Sequence, residues 1–193
     1  MAHGIGSGAV TAGLAARPFC VLMVGLPGSG KTTLSRVLTA RGFVRLCPDE
    51  EMFRRHGVYG VDFPRGSFPT LERPVLEETA VELREHLKSG HNVVVDHGFW
   101  TPDDRAHWQS IATDAGATSA LVYLEVSHEE LWSRVSKRNA QHEADPNSIY
   151  FSESDLTRYR TRFVPPTPDE PHIVYDGDAA SVLKALEEAA ARS

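Results

Sequence analysis

The strongest constraint on the fold of this chain is the stretch from Phe19 to Thr33. Phe19 to Val24 is an apolar run of strand length, Gly25-Leu26-Pro27-Gly28-Ser29-Gly30-Lys31-Thr32 follows at once, and a helical pattern opens directly behind it. A strand without polar alternation is buried on both faces, as in the centre of a parallel sheet. The spacing G-x-x-x-x-G-K-[ST] between strand and helix is that of a loop that cradles phosphate. Its glycines let successive N–H groups converge on one anion, and the helix N-terminus adds the positive end of its dipole. The candidate nucleotide-binding residues are therefore Gly25, Pro27, Gly28, Ser29, Gly30, Lys31, Thr32 and Thr33. In this arrangement the Lys31 ammonium reaches the β- and γ-phosphates and the Thr32 hydroxyl binds magnesium.

The remaining pattern alternates strands with helices. Strands are expected at Phe43 to Cys47, Asn92 to Asp96, Ser119 to Val126 and His172 to Tyr175. The first helix should run from about Gly30 to Ala40 with Leu34, Val37 and Leu38 inward, and a long helix from about Leu71 to Ser89. Pro48-Asp49-Glu50-Glu51 opens a helix just past the second strand. Its carboxylates read equally as helix-dipole partners or as ligand-facing groups at the strand edge where open α/β sheets bind ligands. Asp96 ends an apolar strand at the same edge, where an Asp associated with magnesium is needed. His97, Phe99 and Trp100 continue from it into the expected cleft, and the irregular segment 57–70 reads as part of the acceptor pocket or its cover. Arg105 is expected to pair with Asp103 or Asp104, or to face the cleft. Arg134 and Arg138, then Arg158 and Arg162, lie four apart on two helices joined by the polar loop 139–151. Together, from about 134 to 162, these have the makings of a lid over phosphates.

Five strands alternating with helices predict an α/β fold, a parallel sheet covered on both faces. Residues 1–17 read as a flexible tail and 18–193 as a single domain. The formal net charge of −6 argues against a large nucleic-acid groove. Cys20 and Cys47 have no metal-ligand spacing and read as reduced core thiols of a cytoplasmic protein, and no run is long enough to span a membrane. The nucleophile spacing G-x-S-x-G and the zinc spacing H-E-x-x-H are both missing, which removes a hydrolase triad and a zincin.

Several residue sets together resemble one family. They are GLPGSGKTT at 25–33, Pro48-Asp49-Glu50, VVVDHGFW at 93–100, Arg105, Arg134 with Arg138-Asn139, and PPTPDEPH at 165–172. The chain resembles the small P-loop kinases of the predicted-kinase, or AAA-type ATP-binding, group. That group is related to polynucleotide 5′-hydroxyl kinases, zeta-toxin kinases and chloramphenicol phosphotransferase. The resemblance implies a P-loop NTPase sheet of order 2-3-1-4-5 with a helical lid. It implies ATP and Mg²⁺ as cofactors, with Thr32 on the metal and Asp96 holding its waters. It also implies Asp49 as the general base, with Glu50 as the alternative, Lys31 and Arg138 as charge stabilisers, and Arg134 near the adenine.

The expected function is transfer of the γ-phosphoryl group of ATP to a hydroxyl of a small molecule or metabolite, nucleoside-like and antibiotic acceptors included. The alternatives are a polynucleotide 5′-hydroxyl kinase, a toxin kinase acting on a nucleotide-sugar, and a nucleotide-dependent regulatory ATPase. Polynucleotide kinases carry an Asp-Asp-x-Arg pattern at the base, whereas here Asp49-Glu50-Glu51 is followed later by Arg54-Arg55. This departure argues against a nucleic-acid acceptor. The acceptor itself is not named by any motif.

Overall fold

The computed structural model of the chain describes residues 17–140 and 150–191. The tail expected over 1–17 lies almost wholly outside these residues, as does most of the loop expected over 139–151.

Strand β1 (Phe19–Val24) is completely buried along its length. Its alternating side chains serve two cores. Phe19, Val21 and Met23 pack with Leu34 and Leu38 of α1 (Lys31–Thr39) and Val182 and Leu186 of α7 (Ala179–Ala191). Cys20, Leu22 and Val24 pack with Leu83 and Leu87 of α3 (Phe68–Lys88) and Trp108 and Ile111 of α4 (Pro102–Asp114). A strand with helices on both faces has no solvent-facing side, which is why its sequence shows no polar alternation.

The sheet has the order β2-β3-β1-β4-β5, all parallel, with β2 at Val44–Leu46, β3 at Val93–Val95, β4 at Thr118–Tyr123 and β5 at His172–Val174. The chain winds to one side of β1 for β2 and β3, then crosses to the other side for β4 and β5. The C-terminal end of β1 therefore lies where the winding reverses, the usual place for a ligand crevice. Three further helices border that end: α2 (Pro48–His56), α5 (His128–Ala140) and α6 (Glu153–Arg162).

Four local expectations need correction. Val37 is exposed, and the inner stripe of α1 is Leu34, Ser35 and Leu38 instead. Ser35 tolerates complete burial because its one hydroxyl proton has Thr32 O and Asp96 Oδ2 as acceptors within reach, at 3.0 and 2.9 Å, and its oxygen accepts from Arg45 Nε. Helix α3 begins at Phe68, earlier than expected, with Pro69 in its first turn, where a missing N–H is harmless. Strand β4 stops at Tyr123, although the Leu124 amide still donates to Val24 O at 2.9 Å. Arg105 pairs with neither Asp103 nor Asp104 and does not face the cleft. It is fully buried and grips both carboxylate oxygens of Glu170, at 2.6 and 2.7 Å, with a further bond to Val164 O. Its partners lie some sixty residues downstream, so local spacing carries no trace of them.

Candidate active site

The loop between β1 and α1 is built for close backbone approach. Gly28 and Gly30 hold φ of +84° and +101°, a region that side-chain-bearing residues rarely adopt. A Cβ on Gly25 would lie 2.7 Å from Ser29 Oγ. The Lys31 ammonium donates to the Gly25 and Leu26 carbonyls, at 3.0 Å each, which holds it over the loop. Burial lowers its pKa, while Asp96 and then Asp49 pull it upward. The first-turn amides of α1, which no helical carbonyl can satisfy, begin at the same residue.

Behind the loop, Asp96 and Arg45 form a buried pair. Asp96 is 2% exposed, and its Oδ2 accepts from Arg45 Nη2 at 2.6 Å, Arg45 Nε at 3.0 Å and Ser35 Oγ at 2.9 Å. The second Arg45 nitrogen, Nη1, donates to Glu50 Oε1 at 2.8 Å. One guanidinium thus links the end of β3 to the start of α2. It also separates the two carboxylates that the sequence leaves as alternatives. Glu50 is held by Arg45, whereas Asp49 lines the cavity in front of the loop.

That cavity, of about 1450 Å³, runs from the phosphate loop to α3 and α4. Its far end gathers Asp49 of α2, Glu72 of α3, His97 after β3 and Asp104 of α4. Ligand atoms of Asp49, Glu72 and His97 lie within 4.8 Å of one another, close enough to hold one cation. His97 Nδ1 stands 3.9 Å from Asp49 Oδ1. Burial pushes the His97 pKa down, against the pull of Asp49. Glu72 is pushed up to about 7, first by burial and then by the neighbouring charges of Asp49 and Asp104. Tyr59, Phe68, Phe99 and Trp108 supply aromatic wall at this end.

Arginines from α5 and α6 line the other side. Arg134 donates to the Gly28 and Ser29 carbonyls at 3.2 and 3.3 Å and also pairs with Glu130. Arg138 lies over the Phe151 ring, 5.9 Å from its centroid. Asp155, the capping-box residue of α6, accepts from Arg65 at 2.9 Å and from Arg158 at 2.8 Å. A 3-10 turn at Arg65–Ser67 is thereby tied to α6.

Apart from Gly25 and the alternative base Glu50, every residue singled out in the sequence as catalytic, nucleotide-binding or metal-associated lines this one cavity, and Gly25 borders it through the loop. Sequence reasoning passed over Arg45, Ser35 and Glu72, as well as Tyr175, Asp176 and Gly177, which line the cavity after β5. The alternation in Val44-Arg45-Leu46 was the available signal for Arg45, since a charge there must point into one of the sheet's covered faces. Nothing local marks Glu72 among the acidic residues of α3.

A family model described as an AAA domain matches residues 20–166. No curated protein matches the chain. Among solved structures, a candidate kinase from Chloroflexus aurantiacus is 23% identical, with a TM-score of 0.71, over 89% of this chain and 98% of that one. The APS kinase CysC of Mycobacterium tuberculosis, solved with AMPPNP and APS, is 19% identical, with a TM-score of 0.60, over 89% and 98% of the two chains. A chain of the Pnkp1/Rnl/Hen1 RNA repair complex is 22% identical with a TM-score of 0.57. That match covers 78% of this chain but about half, 49%, of the other. These likenesses establish the fold as that of small P-loop kinases. No helix among the described residues is long and apolar enough to cross a membrane.

Proposed function

The chain belongs to this AAA domain family, and we propose that it is an ATP- and magnesium-dependent kinase that phosphorylates a hydroxyl of a small molecule or metabolite. The observation that carries the reading is the presence of Lys31 and Asp49 in one cavity. Lys31 belongs to the loop that cradles phosphate, and Asp49, which acts on Lys31 through its charge, forms no salt bridge with a lysine or arginine among the described residues. Phosphoryl transfer asks little covalent chemistry of a protein. It needs positioned phosphates, cations around the transferred group and one proton acceptor.

In this reading the loop amides and Lys31 bind the β- and γ-phosphates. Arg138 joins Lys31 in stabilising charge on the transferred group, and Arg134 braces the loop beside the nucleotide. Asp49 accepts the acceptor's hydroxyl proton, which makes that oxygen the nucleophile. Helices α5 and α6 form a lid that keeps water from competing. The donor set suits magnesium: Thr32 and Asp96 offer hard oxygen atoms, and Asp96 Oδ1 accepts no hydrogen bond among the described residues. Thr32 would hold the ion directly and Asp96 its waters, and its chemistry when bound is to neutralise charge on the β- and γ-phosphate oxygens.

A nucleic-acid acceptor finds less support. Arg54 and Arg55, which follow Asp49 on α2, are engaged by Glu51 and Glu78 and form no free basic groove among the described residues. Asp49→Asn tests the reading. Transfer to an acceptor found by screening should fall by roughly 10²- to 10⁴-fold while ATP affinity holds within a few-fold. An unchanged rate would remove Asp49 from the chemistry. ADP release that no acceptor stimulates, coupled to partner binding, would favour a regulatory ATPase.

A further inference from the structure

We propose that the acceptor is a hydroxyl compound bearing a protonated amine, an amino alcohol or amino sugar, held by Asp49, Glu72 and Asp104 against an aromatic wall; the proposal rests on the phosphotransfer reading above. The cavity holds cations beside the phosphate loop and, among the described residues, carboxylates free of salt bridges to lysine or arginine beside α3 and α4. Lys31, Arg134 and Arg138 belong to the loop end, and Asp49, Glu72 and Asp104 to the acceptor end. The three carboxylates come from three different helices, α2, α3 and α4, so the fold converges them and no single run of acidic residues does.

Their neighbours show how unusual they are. Glu50 and Asp96 are held by Arg45, Asp155 by Arg65 and Arg158, Glu130 by Arg134 and Glu170 by Arg105. Asp49, Glu72 and Asp104 form no salt bridge with a lysine or arginine among the described residues. Asp49 stands 3.9 Å from the His97 imidazole and feels the charge of Lys31 without a salt bridge to it, and Asp104 accepts a hydrogen bond from the Thr101 hydroxyl at 2.6 Å. Asp49 and Glu72 are partly drawn out of water and Asp104 is exposed; carboxylates clustered in this way repel one another, and a cationic ligand relieves that repulsion. An anionic acceptor would add to it.

A second observation points to a ligand at the same spot. His97 Nδ1 is covered from solvent and makes no hydrogen bond, in the middle of this group. A buried polar atom without a partner is rare, and the hydroxyl or ammonium of an acceptor would satisfy it. The wall is suited to the same cation. The Arg65 guanidinium already lies over the Tyr59 ring, 5.4 Å from its centroid, which leaves Phe68, meeting Tyr59 edge to face at 5.1 Å, and the Phe99–Trp108 pair, 5.5 Å between centroids, as the wall. Aromatic faces beside carboxylates are the surroundings in which organic ammonium groups bind well. Arg65 and Arg158, which also border the cavity, share Asp155, and Arg162 is exposed on the last turn of α6.

The arrangement also sets which atom reacts. The hydroxyl oxygen attacks the γ-phosphorus, its proton passes to Asp49, and the bond to the β,γ-bridging oxygen breaks with its electron pair leaving on ADP. The amine, kept protonated by the carboxylates, has no lone pair to offer. The product is an O-phosphate ester, not a phosphoramidate.

The test uses matched acceptors that differ in charge: glucosamine, glucose and gluconate; ethanolamine, ethylene glycol and glycolate; serinol, glycerol and glycerate. Acceptor-dependent ADP release is measured with the full chain and with Glu72→Gln. The amines should be preferred over their neutral partners, and Glu72→Gln should cut that preference by roughly 10- to 100-fold, the effect of one charged hydrogen bond. The preference is a ratio within each protein, so partial misfolding of the variant cancels. Equal or better use of neutral or anionic partners overturns this inference and leaves the kinase reading intact. An amine preference untouched by Glu72→Gln overturns the assigned pocket. ADP release that no compound in any charge class stimulates counts against both.

Discussion

Replacing Arg45 with methionine should cost this protein about 3 kcal/mol of stability. The guanidinium is 13% exposed and makes two of the three hydrogen bonds accepted by Asp96 Oδ2, a group that is itself 2% exposed. Removing one partner of a buried ion pair costs roughly 3–5 kcal/mol, because the other charge is left without compensation. Ser35 remains bonded to Asp96 Oδ2, which keeps the expected loss at the lower end. For a chain of this size, about 3 kcal/mol corresponds to a fall in Tm of roughly 6–12 °C. Urea unfolding at constant pH gives the free energy, and thermal unfolding gives the Tm. The double variant Arg45→Met/Asp96→Asn sharpens the test, since it removes both charges together. Its loss should be smaller than the sum of the single losses by at least about 1 kcal/mol. A Tm drop under about 3 °C, or additive losses, would refute the idea that Arg45 neutralises Asp96 inside the fold.

Other consequences follow from the same geometry. Arg105→Met leaves Glu170 without its bidentate partner and should cost about 3 kcal/mol in urea unfolding. Arg105→Lys should recover only part of this, since an ammonium cannot reproduce the fork; full recovery would contradict the geometry. In Gly98→Ala the new Cβ would meet Gly25 O at 2.8 Å and Trp100 Nε1 at 2.7 Å, which displaces the start of the phosphate loop. ATP affinity by calorimetry should fall about 10-fold, and an unchanged affinity would mean the loop is not set by this contact. Glu72 gives a pH signature. Its pKa rises from an ordinary 4.5 to about 7 on folding, so the folded state holds the proton more tightly between those values. Its contribution to stability is full below about pH 4.5 and is lost as pH rises through 7, with the deficit persisting above. Relative to the parent, Glu72→Gln should therefore gain about 2–3 kcal/mol between pH 4 and pH 8, and parallel pH curves would refute the shift.

The donor side of the site was legible in the sequence because its determinants are local. An apolar strand, glycines at fixed spacing and a Lys-Thr pair at a helix start all lie within Phe19 to Thr33. The same holds for Asp96, which ends an apolar strand, and for the two arginine pairs four residues apart. What remained hidden depends on contacts across the sheet. Ser35 replaces Val37 on the inner face of α1 because Asp96, sixty-one residues away, supplies its acceptor. Arg105 reads as a partner of Asp103 or Asp104, or as a cleft residue, until Glu170 in the segment after α6 is known. Asp49 and Glu50 cannot be told apart by spacing, and only the reach of Arg45 from the neighbouring strand separates them. Glu72 belongs to the site because α3 crosses in front of the sheet edge, a matter of helix placement rather than of pattern.

The most direct test of the central claim is the identity of the phosphorylated product. With ATP, magnesium and an acceptor that stimulates ADP release, phosphorus NMR should show a phosphomonoester signal growing in step with ADP, and Asp49→Asn should slow its growth by roughly 10²- to 10⁴-fold. Inorganic phosphate as the sole product, with every acceptor and at every acceptor concentration, would contradict the claim that this cavity transfers a phosphoryl group.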